Sequence, residues 1–336
     1  FRTGASFQSD KFNEVVADNV FDRSEMVPGI FYEYTYNHFD KFTSVAGLRA
    51  DYHNIYGLFV TPRLHLRYAP YEKTVFRASA GRGQKTASIF AENIGIFASS
   101  RQFFIQGNEP EKPYGLDPEV AWNFGLNFSQ GTMLFGREAI LNLDFYHTNF
   151  INQIVVDFDA DPGEIHFYNL SGKSYSNSFQ AQLDMEPVER FDIRLAYRLN
   201  DVNTTFQETL MSKPLTSRHR AFINLAYATI RDLKFDVTWN WQGQQRIPAT
   251  GTNPEDYQRP LTSPGFYLVN MQISKQWAGK FDIYIGSENL FNFRQDNPII
   301  SVENPFGEYF DASLIWGPVF GRKIYAGIRF LIDQGI

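Results

Sequence analysis

Apolar and polar residues alternate along most of the chain. Between Leu58 and Tyr68 nearly every second residue is apolar, and Arg63, His65 and Arg67 stand among the residues between them. The pattern recurs in the segments 120–128, 191–199, 233–241 and 324–332. A period of two predicts β-strands with one apolar and one polar face. About fourteen such segments, each near ten residues, are typical of an all-β, antiparallel, up-and-down transmembrane β-barrel. Transport is therefore the first functional hypothesis.

Two kinds of connection separate the predicted strands. The short ones are 37–41, 69–73, 129–132, 186–190, 229–232 and 277–280. The long ones are 9–27, 82–117, 148–174, 201–217, 243–264 and 291–321. The two kinds alternate, except that the short segment 53–57 takes the place of a long one. Outer-membrane barrels have short periplasmic turns and long extracellular loops, so the final strand, Arg322 to Ile332, is predicted to lead to a periplasmic C-terminus.

Composition narrows the class of protein. The 336 residues are 17% aromatic, which suits the aromatic girdles of a barrel at the two membrane interfaces. No apolar run of about 18 residues exists, so no transmembrane helix is predicted. The absence of cysteine excludes disulfides and thiolate chemistry. A net charge of -6 without a basic stripe argues against a nucleic-acid partner.

The polar face of the strands is predicted to line a wet lumen. Its arginines are Arg63, Arg67, Arg77, Arg194, Arg198 and Arg220. The apolar neighbours Leu64, Leu66 and Phe76 are predicted to face lipid. So many long polar side chains inside a barrel need water or an internal plug beside them. One interpretation is that the polar face lines a water-filled lumen. The other is that its side chains contact a plug domain.

The long connections hold the candidate ligand-binding residues. These are Asn93, Arg101, Gln102, Phe104, Gln245, Arg246 and Trp316. Aromatic rings beside hydrogen-bonding groups suit a small molecule or glycan with flat or sugar-like faces. The alternative is that long loops use the same side chains to pack on one another.

Catalytic and metal motifs are weak in this sequence. GRGQKT (Gly81 to Thr86) lacks the spacing of a phosphate-binding loop and is predicted to be a strand that enters a loop. No nucleophile elbow and no zinc-binding histidine pair is present, so no catalytic residue, metal ligand or cofactor is assigned. Asp157, Asp159 and Asp161 could together chelate Ca²⁺. The competing interpretation is a solvated acidic hairpin tip with Pro-Gly at its turn.

The C-terminal third carries motifs that resemble a known family. GSENLFNFRQDNPI (Gly286 to Ile299) precedes FDASLIWGPVFGRKIYAGIRF (Phe310 to Phe330), and together they resemble the C-terminal end of TonB-dependent outer-membrane receptors, particularly those of Bacteroidetes. TPRLHLRYAP, FRASAGRG, the strand from Pro118 to Gly125 and the hairpin built from FYHTNFINQIVVD and YNLSGKSYSNSFQAQLD are also similar to that family. Family barrels usually end in an aromatic residue, whereas Ile332 occupies the matching position here, followed by Asp333 to Ile336.

The resemblance implies a function for the whole protein. It would be an outer-membrane receptor of a Gram-negative bacterium that imports a scarce nutrient when the TonB complex remodels an N-terminal plug. Siderophore, haem, cobalamin, metal ion, peptide and glycan are all compatible as the nutrient. Such barrels have twenty-two strands, so residues 1–336 would be the C-terminal portion of the barrel domain, without a plug. The strand Phe1–Gln8 and the last strand are then expected to pair with segments outside this sequence.

Two other functional classes stay open at this point. A complete smaller barrel could act as a passive, porin-like channel, and its first and last strands would pair with each other. A surface enzyme or an assembly factor of the envelope is the third class. An upstream plug sequence would identify the receptor, whereas a signal peptide directly before Phe1 would identify the small barrel.

Overall fold

The computed structural model describes residues 1–16, 19–277 and 280–330, and they are almost entirely β-structure. The strands are β1 (Arg2–Phe12), β2 (Val15–Val16), β3 (Asn19–Val20), β4 (Arg23–His38), β5 (Phe42–His53), β6 (Gly57–Tyr71), β7 (Thr74–Lys85), β8 (Gln102–Ile105), β9 (Glu119–Leu134), β10 (Arg137–Asn152), β11 (Ile154–Asp157), β12 (Glu164–Asn169), β13 (Ser174–Val188), β14 (Phe191–Phe206), β15 (Thr209–Ser212), β16 (His219–Ala228), β17 (Leu233–Gln242), β18 (Phe266–Trp277), β19 (Phe281–Glu288) and β20 (Lys323–Phe330). One short helix, α1 (Ile89–Glu92), and 3₁₀ turns at Ile94–Phe97, Pro113–Gly115 and Glu255–Tyr257 lie in the long connections. No helix of the described residues is long and apolar enough to cross a membrane.

Fourteen strands follow one another in one antiparallel sheet in the order β1-β4-β5-β6-β7-β9-β10-β13-β14-β16-β17-β18-β19-β20. The short strand β15 also belongs to this sheet and pairs with β14. Each strand pairs with its neighbours in the chain once the small strands of the long connections are set aside. The predicted number of strands and their up-and-down antiparallel order are confirmed. The strand β7 includes Gly81 to Lys85, so GRGQKT is the end of a strand, as predicted.

The connections sort by length as predicted. Turns of a few residues follow β4, β6, β9, β13 and β16, whereas the connections after β1, β7, β10, β14, β17 and β19 are longer. The connection after β5 is also short, as predicted for 53–57, although it lies at the same end as the long ones. The predicted short turn 277–280 contains residues 278–279, which lie outside the described residues. Phe135 and Gly136 both have positive φ, as a two-residue type I′ turn requires, and this turn matches the twist of β9 and β10. We call the two ends of the sheet the short-turn end and the long-loop end.

The strand register separates polar from apolar side chains. One row of directly opposed residues crosses eight strands: Arg67, Arg77, Asn127, Asp144, Gln180, Arg198, Arg220 and Gln242. The adjacent row is Tyr68, Phe76, Phe128, Leu143, Ala181, Tyr197, Ala221 and Trp241. Successive residues of a strand point to opposite faces, so one face is polar and the other apolar across the sheet.

The long connections fold over the polar face. Phe59 lies on this face and is 7% exposed, because the ring of His53 packs on it with centroids 5.5 Å apart. Thr86 Oγ1 is 3.2 Å from His53 Nε2, and the Tyr56 hydroxyl donates to the Leu116 carbonyl at 3.2 Å. Residues of the long connections therefore cover part of the polar face of the sheet.

Two details differ from the sequence-based expectation. The first strand continues beyond Gln8, because Phe12 still pairs with Arg23, so the connection 9–27 is shorter than predicted. The last strand begins at Lys323 and is described to Phe330, so the predicted end at Ile332 and the residues after it lie outside the described residues. Within those residues β1 pairs only with β4 and β20 only with β19, and no ladder joins β1 to β20.

Candidate ligand-binding surface of the long loops

The long connections form a folded layer with its own apolar core. A cluster of buried side chains unites the connections 86–118 and 153–173: Ala87, Ile89, Phe90, Ile96, Tyr114, Leu116, Ile154, Ile165 and Phe167. Phe167 is 0% exposed. A smaller cluster of Ile247, Ile300 and Leu314 unites the connections 243–265 and 289–322. We call this assembly the loop layer.

A small sheet of mixed direction stiffens the loop layer. Its order is β11-β12-β8, and β12 runs parallel to β8 although their residues are about sixty positions apart in the chain. The sequence pattern predicts parts of long loops for these segments. The alternating apolar residues of QFFI and EIHFYN were the available signal, but strands of four to six residues inside long connections give a weak pattern.

Ion pairs connect loops that are distant along the sheet. Arg101 Nε donates to Asp311 Oδ2 at 2.8 Å, and the two side chains are 2% and 6% exposed. This pair joins the connection after β7, the fifth strand of the sheet, to the connection after β19, the thirteenth. Arg246 Nη1 reaches both carboxylate oxygens of Asp159 at 2.8 Å and so joins a second pair of loops.

A third polar network fixes the loop layer to the sheet. Arg23 at the start of β4 is almost buried and pairs with Glu14 at 3.0 Å and with Glu25 at 2.8 Å. Its guanidinium also donates to Ser88 Oγ at 3.0 Å. The Tyr114 hydroxyl hydrogen-bonds to the Glu14 carboxylate. Burial, together with this hydrogen bond, raises the pKa of Tyr114, so the phenol stays protonated at neutral pH.

One face of the small sheet is polar and accessible. Gln102 and Phe104 stand on β8 directly opposite Glu164 and His166 on β12. The Phe104 ring is 40% exposed and stacks on His166 with centroids 5.2 Å apart. His166 Nε2 lies 2.8 Å from Glu164 Oε2, and His166 Nδ1 lies 3.0 Å from Gln106 Nε2. We call this set of side chains the β8–β12 face.

A polar cleft of about 620 Å³ continues from this face. It is lined by Gln106, Asn108, Glu109, Asp117, His166, Tyr168, Asn169, Ser171 and Gln207. The Tyr168 hydroxyl donates to Asp157 Oδ2 at 2.8 Å and accepts from the Gln207 amide at 2.9 Å. Burial, with the hydrogen bond to Asp157, raises the pKa of Tyr168. A surface of aromatic rings, amides and hydroxyl groups can hold an organic ligand through stacking and hydrogen bonds.

Most of the residues predicted to bind a ligand instead form contacts between loops. Arg101 and Arg246 form the two ion pairs between loops. Asn93 Nδ2 donates to the Ile89 carbonyl at 2.8 Å, and buried Gln245 donates to the Trp316 carbonyl at 3.0 Å. Trp316 itself packs against the smaller apolar cluster.

Gln102 and Phe104 have a different environment. Both are exposed on the β8–β12 face, so ligand contact by these two residues stays a prediction. Glu164 and Tyr168 could not be recognised as neighbours of Gln102 and Phe104 from the sequence, because the pairing of β8 with β12 brings these residues together only in the fold.

The calcium site considered for Asp157, Asp159 and Asp161 is not assembled. Asp157 is 1% exposed and accepts from Tyr168 and from the Asp159 amide, whereas Asp159 is paired with Arg246. Asp161 Oδ1 accepts from the Gly163 amide at 2.7 Å. No group of three carboxylates and histidines among the described residues could hold a metal ion. The competing prediction of a solvated tip is also wrong for Asp157 and Asp159, because both carboxylates are occupied inside the loop layer.

The predicted lumen arginines share the polar face but differ in their partners. Arg63 donates to Glu33 Oε2 at 2.5 Å, Arg77 donates to Asn127 Oδ1 at 2.8 Å, and Arg194 pairs with Asp184. Arg67 donates to the Asp40 carbonyl at 3.1 Å. Arg198 and Arg220 lie opposite each other and are exposed. Their orientation toward a barrel lumen stays a prediction.

Comparison with solved structures identifies the architecture. A mutant of the ferric enterobactin receptor PfeA from Pseudomonas aeruginosa, in complex with enterobactin, is similar with a TM-score of 0.69 at 15% identity, over 98% of this chain and 51% of that chain. The siderophore receptor PirA from the same organism gives 0.60 at 16%, over 98% and 50%. The ferric-catecholate import receptor Fiu from E. coli K12 gives 0.62 at 12%, over 92% and 45%.

These similarities establish the fold. The chain spans about half the length of the solved receptors that it matches. A comparison with curated protein sequences gave no match. The profile of the family described as TonB dependent receptor-like, beta-barrel matches residues 1–290, and it confirms the resemblance seen in the sequence. The chain belongs to the family of TonB-dependent receptor β-barrels.

Proposed function

We propose that this chain is the C-terminal portion of the barrel domain of an outer-membrane receptor that imports a scarce nutrient with energy from the TonB complex. The observation that carries the proposal is the antiparallel sheet of fourteen consecutive long strands with every long connection at one end. The long-loop end is extracellular and the C-terminus periplasmic in this proposal, as in outer-membrane barrels generally. The protein binds and transports its ligand without covalent chemistry. The particular likeness to Bacteroidetes receptors stays a prediction.

The two edges of the sheet support the proposal that further strands complete the barrel. Unpaired backbone groups are expensive in hydrocarbon, so a spanning sheet must close on itself. The outer edges of β1 and β20 do not pair with each other within the described residues. Their partners are most simply the remaining strands of the same barrel, around an N-terminal plug. The alternative hypothesis of a small, passive channel predicts a hydrogen-bond ladder between β1 and β20, and it gains no support.

The β8–β12 face is the proposed first contact for the nutrient. Its ligand is a small molecule or a glycan of the siderophore, haem, cobalamin, metal-complex or sugar class, with a flat or sugar-like surface. Phe104 and His166 offer a stacked aromatic platform, and Gln102 and Gln106 offer amide groups beside it. The loop layer supports this face from behind with the apolar cluster around Phe167.

Uptake by the full-length receptor in its own outer membrane tests the proposal. Deletion of the gene should abolish growth on one limiting nutrient, and loss of TonB should have the same effect. Phe104→Ala should weaken uptake up to about tenfold, since an aromatic stacking contact contributes about 0.5–1.5 kcal/mol beyond the burial of its area. Tyr71→Ala, an exposed aromatic residue at the short-turn end, is the matched control and should leave uptake unchanged. Uptake that persists without TonB would instead show a passive channel.

A further inference from the structure

Three of the short turns carry a large apolar side chain that is almost fully exposed. Phe39 is 84% exposed between β4 and β5, Phe135 is 83% exposed between β9 and β10, and Ile230 is 85% exposed between β16 and β17. We call these three side chains the turn tips. Further strands of a barrel would pair with the outer edges of β1 and β20, so they would not cover turns that lie away from those edges. Apolar side chains that recur at exposed positions indicate a contact surface.

Two of the turn tips occupy backbone positions that disfavour them. Phe39 has a φ of 46°, and Phe135 has a φ of 55°. A bulky side chain rarely adopts a positive φ, and glycine or asparagine is the usual residue at such a position of a tight turn. A favourable contact of the phenylalanine ring with its surroundings would compensate for this cost.

The ring of Phe39 continues the apolar face of the sheet. It packs edge-on against His38 with centroids 4.6 Å apart, and His38 stacks on Tyr36 with centroids 6.4 Å apart. His38 is paired with Phe42, and Phe42 is paired with Tyr68 of the apolar row. The ring therefore lies on the side of the sheet that faces lipid in a barrel, and not on the side that would face a plug.

Strand β10 shows at which depth the short turns lie. Its apolar face between His147 and Arg137 consists of Ala139, Leu141, Leu143 and Phe145. About ten residues of a strand that rises about 3.3 Å per residue and tilts by about 35–45° cover a height of about 25 Å. This is the height of the apolar band of an outer-membrane barrel. The band therefore ends at Arg137, the first residue of β10, and the turn lies directly beyond it.

The neighbouring strands place the two boundaries at the same levels. His147 Nδ1 lies 2.7 Å from Asn177 Oδ1, and Asn177 Nδ2 donates to Asp201 Oδ2 at 3.5 Å, so a polar row bounds the band at the long-loop end. From Asp201 the same face of β14 is apolar as far as Phe191, the first residue of the strand. The headgroup layer beside the hydrocarbon core is about 5–8 Å thick. A turn directly beyond the strand lies within this layer.

We propose that the turn tips insert among the headgroups of the phospholipid leaflet beside the short-turn end and hold the barrel at its depth in the membrane. Asp40 precedes Lys41 beside Phe39, and Arg231 precedes Asp232 beside Ile230. These charges balance, so the contact is apolar and suits zwitterionic headgroups. The inference rests on the membrane-spanning sheet of the proposed function, and it is independent of the nutrient and of TonB.

Electron paramagnetic resonance of the full-length receptor in phosphatidylcholine nanodiscs tests the depth of the turn tips. Phe135→Cys and Ile230→Cys each carry a nitroxide label in a background without other cysteines, and residues 1–336 contain none. Oxygen concentrates in the bilayer and a nickel chelate in water, so the ratio of their accessibilities reports depth. The ratio at both turn tips should lie between that of Leu126→Cys, on the apolar face, and that of Phe306→Cys. Phe306 is the matched control, a phenylalanine that is 97% exposed in a long connection.

Each other result of this measurement overturns the proposal. Ratios equal to that of Phe306→Cys would place the turn tips in water. Low accessibility to both reagents would assign them to a contact with protein. A water-like ratio for Leu126→Cys would show that the sheet does not span the bilayer, and it would contradict the proposed function as well.

Thermal unfolding in the same nanodiscs gives a second readout. Ile230→Asn should lower the melting temperature, because the variant loses the transfer of an apolar side chain out of water. Val302→Asn replaces an aliphatic residue that is 64% exposed in a long connection, and it should leave the melting temperature unchanged. Equal melting temperatures of Ile230→Asn and the wild type would overturn the proposal.

Discussion

The ion pair between Arg101 and Asp311 should decide whether the loop layer holds together. Removing one partner of a buried pair leaves an uncompensated charge and typically costs about 3–5 kcal/mol. Among the described residues, the Asp311 carboxylate would retain only its hydrogen bonds from Ser313 in the variant Arg101→Met. Arg101 Nη2 is buried without a partner among the described residues, and the variant also removes this unsatisfied group. We therefore expect a loss near the lower bound, about 3 kcal/mol.

Native-state hydrogen exchange of the full-length receptor measures this loss locally. The amides of Ser100 and Ala312 report on the junction, because they donate across it to the carbonyls of Phe310 and Ala98 at 2.8 Å. A loss of about 3 kcal/mol should accelerate their exchange about a hundredfold, since 1.4 kcal/mol corresponds to a factor of ten. Amides in the centre of the sheet should keep their protection.

The control is an ion pair of similar length in a different environment. Lys73 and Glu138 are 2.7 Å apart, but their side chains are 55% and 78% exposed. Solvent screening leaves such an exposed pair with little effect on stability, so Lys73→Met should change the exchange of no loop amide. The double variant Arg101→Met with Asp311→Leu should recover most of the protection, because two apolar side chains replace the pair. Equal exchange in Arg101→Met and Lys73→Met would refute the reasoning.

Three further outcomes are expected. Leu64→Cys should resist a water-soluble thiol reagent in the intact membrane while Arg63→Cys reacts, and the reverse result would show that the assigned faces are wrong. Leu126→Arg should reduce the amount of heat-modifiable folded barrel, because arginine on the lipid face costs about 2–4 kcal/mol at the midplane. Asn123→Arg, on the polar face, should be tolerated. Equal amounts of folded barrel in the two variants would contradict the register. The raised folded pKa of Tyr114 stabilises the loop layer below the unfolded value of about 10, and this contribution is lost as the pH rises through the folded pKa. In the variant Tyr114→Phe, the melting temperature of the loop layer should therefore fall less at alkaline pH than in the wild type, as measured by near-ultraviolet circular dichroism. An equal fall in both proteins would exclude this role of Tyr114.

The sheet could be predicted from the sequence because its information is local. The alternation of apolar and polar residues in a strand such as β6 indicates which side chains face water. The length of each connection indicates the end of the sheet at which it lies. The register then follows, since a shift of one residue would place Arg63 and Arg67 on the apolar face. The first strand was predicted too short because its polar residues after Gln8 carry no apolar signal, although Phe12 still pairs with Arg23.

The loop layer could not be predicted in the same way. The pairing of β8 with β12 and the ion pair of Arg101 with Asp311 join segments that are far apart in the chain, and no local pattern records such partners. An arginine or a tryptophan in a long loop looks the same in the sequence whether its side chain contacts a ligand or another loop. Only the fold separates Gln102 and Phe104, which remain exposed, from Gln245, which is buried.

The shared apolar core of the loop layer has a consequence for biogenesis. The cluster around Phe167 is shared between connections, because Ile89 and Leu116 come from one connection and Ile165 from another. If the long-loop end is extracellular, as proposed above, each connection crosses the outer membrane as an unfolded chain while its flanking strands insert. The layer can condense only after the contributing connections have been delivered, so its formation is a late step that depends on the completed wall. An exchange of one connection between related receptors would then fail unless its packing partners were exchanged with it.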